Sequence, residues 1–582
     1  MVRIWKKYMQ FWPVVFAVIF LMIQVCCDLY LPTVTATLVD KGIVGRNLPL
    51  VWHFGFLMLG VSLIGLVMAG GNVYFGVTQG MRVGAKLRQA IYHKVLQFSS
   101  TDMNDFGESS LITRTTNDVV QVQNASLLVL RMILMSPLML IGASAMAYSR
   151  EPRLTRIFMV SLPVLIVLIA ILMHFTVPLF RSIQHKTDRI NLIFREGLTG
   201  VRVIRAFNQD NREQKRFAVA NKDYTNTAFK AFTLVSMAFP TMTLILSLTN
   251  VAIVWFGARL IAHRTMLVGN LIAFMTYANQ ILFSFMMLAM VFVFLPRASA
   301  SATRINAVLE SKLKVADPTP DQRVQLNPTA KASLAFDHVN AKYEGADHLA
   351  LSDLNFNVHA GQTVAIIGGT GSGKSTLVNL IPRLQNVSRG QIKINGQDIS
   401  RLSQHDLHTL ISITQQKAVL FTGTVRSNMQ FGNPDATDDQ IWHALQIAQA
   451  DDFIEEQGGL DAPVEQDGGN YSGGQRQRLA IARTIIKPAS VYVFDDSFSA
   501  LDFKTDAKLR QALHQDPQIQ KAVTVIVAQR VSTVADADLI LVLDDGKVVG
   551  QGNHQQLKAH NKVYQQILHS QIQEGDDQRA KQ

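Results

Sequence analysis

TVAIIGGTGSGKSTLVNLI, residues 363–381, decides how the second half of this chain is read. A short β-branched run, TVAII, enters a cluster of glycines and leaves it as an amphipathic, helix-like stretch. Gly368 to Ser375 fits G-x-x-x-x-G-K-[ST], the spacing of a phosphate-binding loop, in the strand-to-helix setting such a loop requires. Gly368, Gly369, Thr370, Gly371, Ser372 and Gly373 allow backbone N–H groups to approach phosphate oxygens. Lys374 adds a cation and Ser375 a hydroxyl able to hold Mg2+. With Thr376 the chain enters a helix whose positive end favours an anion.

Further along, VYVFDDSFSALD (491–502) runs four apolar residues into two acids. An acid at a strand end beside a nucleotide is a metal holder, which assigns Asp495. Asp496 stands where a general base would reach a water, and Asp is one methylene shorter than Glu. Between the two motifs lies NYSGGQRQRLAIARTII (470–486), in which Ser472, Gly473, Gly474 and Gln475 open a basic amphipathic helix. That helix start is a second anion site. One chain with two phosphate-binding ends implies that two chains share nucleotide. From Ser333 onward short β-branched runs alternate with amphipathic helices, so residues 333–570 read as an α/β domain. Residues 311–332 hold three prolines and few large apolar residues, and read as a linker. Residues 571–582 read as a polar tail.

The first 310 residues differ in kind. The 582-residue chain is 48% hydrophobic and 17% charged, with mean hydropathy +0.17. That is too apolar for an ordinary soluble enzyme of this length. Apolar runs near 11–31, 51–77, 127–148, 154–177, 231–261 and 271–295 are each long enough to cross a bilayer core, which takes roughly 20 helical residues. The net charge is +12, and two long stretches, 78–126 and 178–230, are rich in Lys and Arg (Arg82, Lys86, Arg88, Lys94; Arg181, Lys186, Arg189, Arg202, Arg205). This reads as positive cytoplasmic loops of a bilayer protein with both termini inside, and no nucleic-acid partner is expected. The loops keep helical periodicity, so the membrane helices are expected to continue into the cytoplasm, turning at TDMNDFGESS and near Gly200. Cys26 and Cys27, the only cysteines, are adjacent in an apolar run and read as packing residues.

Together these motifs resemble the nucleotide-binding domain of ATP-binding-cassette transporters. YSGGQ is similar to the family's signature, usually LSGGQ. Gln416 in ISITQQKAVLF matches the Q-loop glutamine, a further Mg2+ contact. Tyr343 in NAKYEG matches the aromatic that stacks on adenine, and Asp502 in SALD belongs to the D-loop. With six N-terminal spans, the whole chain resembles a bacterial exporter half-transporter: a six-helix membrane domain (1–310) fused to a cytosolic α/β P-loop domain. The resemblance implies ATP and Mg2+ as ligands. It places the chain in the plasma membrane with the cassette in the cytoplasm, and puts coupling helices within SLITRTTNDV and EGLTGVRVIRAFNQDNRE.

Two positions depart from that family pattern. The usual catalytic Glu is Asp496, and the usual switch His is Gln529, in VAQRVSTV. The shorter acid falls about 1.5 Å short, and a 1 Å error can cost about a hundredfold in rate. An amide donates but carries no charge and shuttles no proton. Weak hydrolysis is therefore expected at this chain's own loop. Its intact signature would serve a partner half-transporter that keeps the Glu and His, as in heterodimeric multidrug exporters. A homodimeric exporter and an ATP-gated sensor are the other readings. The expected cargo is hydrophobic or amphipathic, multidrug or lipid-like. Asp28, in QVCCDLYLP of the first span with Gln24 one turn before it, is the candidate cargo contact. The Phe- and Met-rich FSFMMLAMVFVF (283–294) would suit promiscuous apolar ligands.

Overall fold

A computed structural model describes residues 1–327 and 329–579, with side chains outside 289–294 and 572–579. The chain divides into two compact units. Residues 1–95 and 109–311 form the first, and residues 96–108 join 312–582 in the second.

The first unit is built of helices. Among the described residues, six helical stretches are long and apolar enough to cross a membrane: Phe11–Ile43, Leu48–Val95, Glu108–Arg150, Pro152–Thr199, Asp210–Ala262 and the helix that begins at Val268. Helix is the expected outcome, because in lipid every backbone N–H and C=O must be paired within the segment. Leu48–Val95 has 48 residues, about 72 Å of helix against a hydrocarbon core of about 30 Å. The extra length is the basic stretch after residue 77, helical as its periodicity predicts. Beyond it come the short helix Ser100–Phe106 and Gly107, whose φ of 74° closes the turn. Gly200, with φ of −92°, ends the helix Phe158–Thr199 before the short helix Val201–Ala206.

Polar clamps hold these helices at particular points. Lys186 on Phe158–Thr199 reaches Asp223 at 2.6 Å and Thr227 at 2.7 Å on Asp210–Ala262. Buried Asn72 donates to the carbonyls of Ala17 and Leu130, tying three helices together. Buried Asp118 accepts from Arg304 Nε at 2.8 Å and from Ser301 at 2.9 Å. A cap of the sixth helix comes from the first, since Asp40 accepts from the Gly269 N–H at 2.7 Å. The Phe- and Met-rich stretch 283–294 lies partly outside the described side chains, from residue 289 onward.

The second unit is an α/β body with two main sheets. Its six-stranded sheet runs Lys547–Gly552, Leu539–Asp544, Thr363–Gly368, Val523–Val527, Val491–Asp495, Ile411–Thr414. All neighbours are parallel except the first pair. The central strands VAIIG, VYVF and VTVIV are buried throughout, as strands covered on both faces must be. A four-stranded antiparallel sheet made by Leu351–His359, Ser333–Ala341, Arg389–Ile394 and Gln397–Asp398 shares an apolar cluster with one face of it.

Two stretches differ from their reading as linker and tail. Residues 311–327 are fastened to the cassette: Asn386 donates to the Lys314 carbonyl, Arg383 to that of Ala316, and Arg323 pairs with Asp406. Prolines kept this segment out of helix and sheet, but side chains from elsewhere supply its hydrogen bonds. Residues 571–579 continue the helix Lys562–Arg579 rather than forming a separate tail, and residues 580–582 lie outside the described chain.

Candidate nucleotide site

Parallel strands deliver their carboxyl ends to one edge, where ligands of open α/β sheets bind. Register decides what arrives there. Val527 lies opposite both Asp495 and Ile366, and Thr414 opposite Phe494. The residues just past these positions are Gly368, Gln416, Asp496 and Gln529. Four segments distant in sequence thus converge because their strands end level.

The loop itself fits a phosphate chain. Gly371 and Gly373 have φ of 85° and 103°, open to glycine and strained for other residues. A Cβ on Gly368 would meet the Leu543 carbonyl at 2.3 Å, so the loop can pass this close only without a side chain. Lys374 Nζ donates to the carbonyls of Gly368 and Gly369 at 2.8 and 2.7 Å, which sets the ammonium inside the loop. Burial lowers its pKa, and the nearby Asp496 and Asp495 oppose that shift. Ser375 is exposed at the loop's helical end, and Thr376 is buried beneath it. The Thr376 hydroxyl shares a 2.9 Å hydrogen bond with Tyr343, whose ring is partly exposed and free to cover a base.

The two acids have different surroundings. Asp495 is pushed up to about 6, first by burial and then by the charge of Asp496, with Lys374 pulling the other way. A pair of close acids that each favour the proton is a place that wants a cation. The oxygen donors present, the Ser375 hydroxyl, the Asp495 carboxylate and the Gln416 amide carbonyl, suit Mg2+, which takes few protein ligands and completes its shell with water and phosphate. When bound it would neutralise charge on the phosphates.

Asp496 is buried, with φ of 46°. Its Oδ2 accepts from Gln529 Nε2 at 2.8 Å and from Gln416 Nε2 at 3.3 Å. A carboxylate can only accept, so both amides present their N–H groups and turn their oxygens away. The Asp496 amide donates to the Val527 carbonyl at 2.9 Å, and the Ser499 hydroxyl donates to the Asp496 carbonyl at 2.8 Å. Burial raises this acid too, against the Gln529, Ser499 and Gln416 hydrogen bonds. Three positions singled out in the sequence therefore form one hydrogen-bonded cluster.

The remaining predicted residues lie apart from it. Ser472 caps the helix Gly473–Ile485 through a reciprocal box with Gln475, at 3.3 and 2.9 Å. A Cβ on Gly473 would meet no atom within 4 Å, and one on Gly474 would sit 3.3 Å from the Ala500 carbonyl. Among the described residues, no hydrogen bond joins 472–475 to 368–376. Asp502 is engaged locally: it caps Phe503–Gln515, accepting from the amides of Lys504 and Thr505 and the Thr505 hydroxyl. Asp28 belongs to the other unit.

Sequence reasoning missed two contacts. Gln571, read as tail, donates to the Gln529 carbonyl at 2.7 Å and accepts from the Val531 amide at 2.8 Å. Lys314, read as linker, pairs with Asp105 of the short helix Ser100–Phe106 at 2.6 Å and with Glu344, next to Tyr343. Its amide also reaches Asp102 at 3.4 Å. The surplus of acids in TDMNDFGE was the one available signal for a basic partner.

An all-helical unit with six spans, joined to a sheet edge carrying a phosphate loop, defines an ATP-handling membrane protein. Comparison with known proteins agrees. Residues 14–285 match the ABC transporter transmembrane region, and residues 351–499 match the ABC transporter domain. An "Uncharacterized ABC transporter ATP-binding protein" of Mycobacterium bovis is 39% identical over 94% of both chains. A "Fatty acid ABC transporter ATP-binding/permease protein" of the same organism is 30% identical, over 83% of this chain and 75% of that one. The solved structure of a bacterial Atm1-family ABC exporter with ATP bound superposes with TM-score 0.80 at 24% identity, covering 96% of this chain and 98% of that one, a likeness of fold. The chain belongs to the ATP-binding-cassette transporter family. It is a multi-pass membrane protein with a fused ATP-binding domain, and its named relatives are bacterial.

Proposed function

We propose that this chain is one half of an ATP-driven exporter of hydrophobic or amphipathic molecules, and the half with the slower nucleotide site. The carrying observation is Asp496. At the place of the family's catalytic base, its carboxylate is short, buried and held by two amide donors. Those donors compete for the lone pairs that would take a proton from water. Gln529, where the switch His would stand, spends its N–H on the same acid. The signature helix keeps its serine cap and open glycine, so it remains fit to clamp a phosphate belonging to another chain.

A partner half-transporter with Glu and His at these places then supplies the fast site. In the assembled pair each nucleotide lies between one chain's phosphate loop and the other's signature. ATP draws the two cassettes together, and cleavage at the partner's loop releases them. Export across the plasma membrane is supported by the exporter fold. An apolar or lipid-like cargo is supported by the apolar character of the spans and by the fatty-acid relative.

The test is ATPase activity of the purified chain, alone and with the neighbouring half-transporter co-expressed. The chain alone is expected to turn over slowly, with little further loss on Asp496→Asn. The pair is expected to turn over fast and to move a fluorescent amphiphile into inverted vesicles. Vigorous activity of the chain alone, abolished by Asp496→Asn, would establish a homodimer instead. ATP binding without vesicle uptake in either form would point to a sensor.

A further inference from the structure

The far end of the cassette makes a contact that the nucleotide motifs do not explain. In the helix Lys562–Arg579, Tyr564, Ile567, Leu568 and Gln571 recur at helical spacing and share one face. Tyr564 is fully buried. It lies in the same apolar cluster as Phe498, Leu501, Val531 and Val534, and Ile567 and Leu568 pack against that cluster. One turn further the stripe ends in an amide, which meets backbone. Gln571 Nε2 donates to the Gln529 carbonyl at 2.7 Å, and its Oε1 accepts from the Val531 amide at 2.8 Å. The strand Val523–Val527 is continued by the Ala528 amide, which donates to the Ile366 carbonyl at 3.1 Å. Beyond Ala528, one glutamine does for the segment 529–531 what a neighbouring strand would do.

The residues held in this way grip the loop that carries Asp496. The Gln529 side chain donates to Asp496 Oδ2 at 2.8 Å. The Arg530 guanidinium donates to the carbonyls of Ser499 and Leu501 at 3.3 and 3.4 Å and lies over the Phe503 ring. Ser499 in turn donates to the Asp496 carbonyl at 2.8 Å. Segment 529–531 is thus laced to the acid's side chain directly and to its backbone through Ser499. Gln529 itself is exposed. An exposed amide samples several rotamers in water, so its residence on Asp496 depends on where its backbone is held. Gln571 is the side chain that holds that backbone.

We propose that Gln571 is a positioning residue of the nucleotide site: by fixing the backbone on both sides of residue 530 it keeps the Gln529 amide on Asp496 and that acid's lone pairs occupied. The C-terminal helix then acts as a brake on ATP cleavage, although it carries none of the phosphate-binding motifs. The proposal rests on the reading of Asp496 as a base slowed by amide donors, and it adds the element that regulates it.

The test is single-turnover cleavage of radiolabelled ATP by the full-length chain in nanodiscs, with protein in excess and ATP affinity measured in the same discs. Gln571→Leu prolongs the apolar stripe and removes both hydrogen bonds. Cleavage is expected to rise about tenfold, the scale of two ordinary hydrogen bonds, with ATP affinity kept within about twofold. Gln571→Glu turns the contact into a titration. As a carboxylate it only accepts, so it keeps the Val531 amide and repels the Gln529 carbonyl; protonated, it again offers one donor and one acceptor. Its gain over the unaltered chain should be full near pH 8 and vanish near pH 5, a profile that lost packing alone would not give. Gln529→Leu should quicken cleavage by a similar factor, and adding Gln571→Leu to it should change little, because both act through one contact. Unchanged or slower cleavage by Gln571→Leu where Gln529→Leu quickens it, or gains that multiply in the double variant, overturns the brake alone. No gain from Gln529→Leu sinks the reading of Asp496 itself, and the brake with it.

Discussion

Lengthening Asp496 by one methylene is the sharpest perturbation of the nucleotide site. The Asp496 carboxylate is tied back at 2.8 Å to Gln529 and 3.3 Å to Gln416. Its backbone is fixed by the Val527 carbonyl. Asp496→Glu moves the acid outward by about 1.5 Å, one C–C bond. A 1 Å error in position is worth about a hundredfold, or about 2.7 kcal/mol of barrier. Against this stands the backbone. At φ of 46° a short polar side chain is tolerated better than a longer one, and a strained residue costs about 1 kcal/mol or more. The kinetic gain exceeds that cost, so hydrolysis is expected to rise about tenfold or more while the melting temperature falls by a few degrees. Adding Gln529→His removes a competing donor and supplies a titratable imidazole, for a combined rise of about a hundredfold. The assay is single-turnover ATP cleavage in the assembled transporter, with the partner's base changed to an amide so that only this site reports. Unchanged cleavage by Asp496→Glu at unchanged ATP affinity would show that reach is not what limits this site.

Three further outcomes follow from the same geometry. Asp495 titrates at about 6 when folded, above the ordinary carboxylate value, so its ionisation destabilises the fold as pH rises from about 4 through 6. Asp495→Asn should therefore raise the melting temperature at pH 7 more than at pH 4, and Mg2+-dependent ATP affinity of the wild type should fall below pH 6; a pH-independent difference would refute the assignment. Lys314→Ala should leave ATP affinity within about threefold yet lower transport per ATP about tenfold, because it severs the helix at Asp105 from the segment beside Tyr343. Salt will mask part of that effect, so a charge swap, Lys314→Glu with Asp105→Lys, should recover transport at low ionic strength. Gln571→Leu removes two hydrogen bonds to the Gln529–Val531 segment, and hydrogen exchange of the Val531 amide should quicken about tenfold.

What the sequence made legible is what local chemistry determines. The phosphate loop could be read because glycine spacing, lysine and the strand-to-helix change lie within about twenty residues. The spans could be read because the bilayer leaves a long apolar run one backbone solution. The cluster of Gln416, Asp496 and Gln529 was reachable only through family resemblance. Its cause, three strands ending level, is a property of register and leaves no local mark. One contact of the first span was hidden for a like reason: Pro32 announces that the Asp28 carbonyl has lost its helical donor, but nothing nearby says that Gln280 supplies one, at 3.0 Å.

The helix Ser100–Phe106 shows how such long-range contacts shape function. At seven residues it is too short to hold itself in water. Two devices stabilise it: a capping box in which Ser99 and Asp102 exchange hydrogen bonds, and the Lys314 contacts at Asp102 and Asp105. It therefore exists as a helix where the cassette receives it, and it groups with the cassette although its sequence lies between two membrane helices. The chain leaves it through Gly107, directly into Glu108–Arg150, and enters it from the end of Leu48–Val95 through 96–99. Two spans are therefore connected to this helix by only a few residues on either side, and the cation that fastens the helix also touches Glu344, the neighbour of Tyr343. Lys314 thus ties the helix that lies in sequence between two spans to the residue beside Tyr343, which is why its loss should separate ATP binding from transport rather than abolish both.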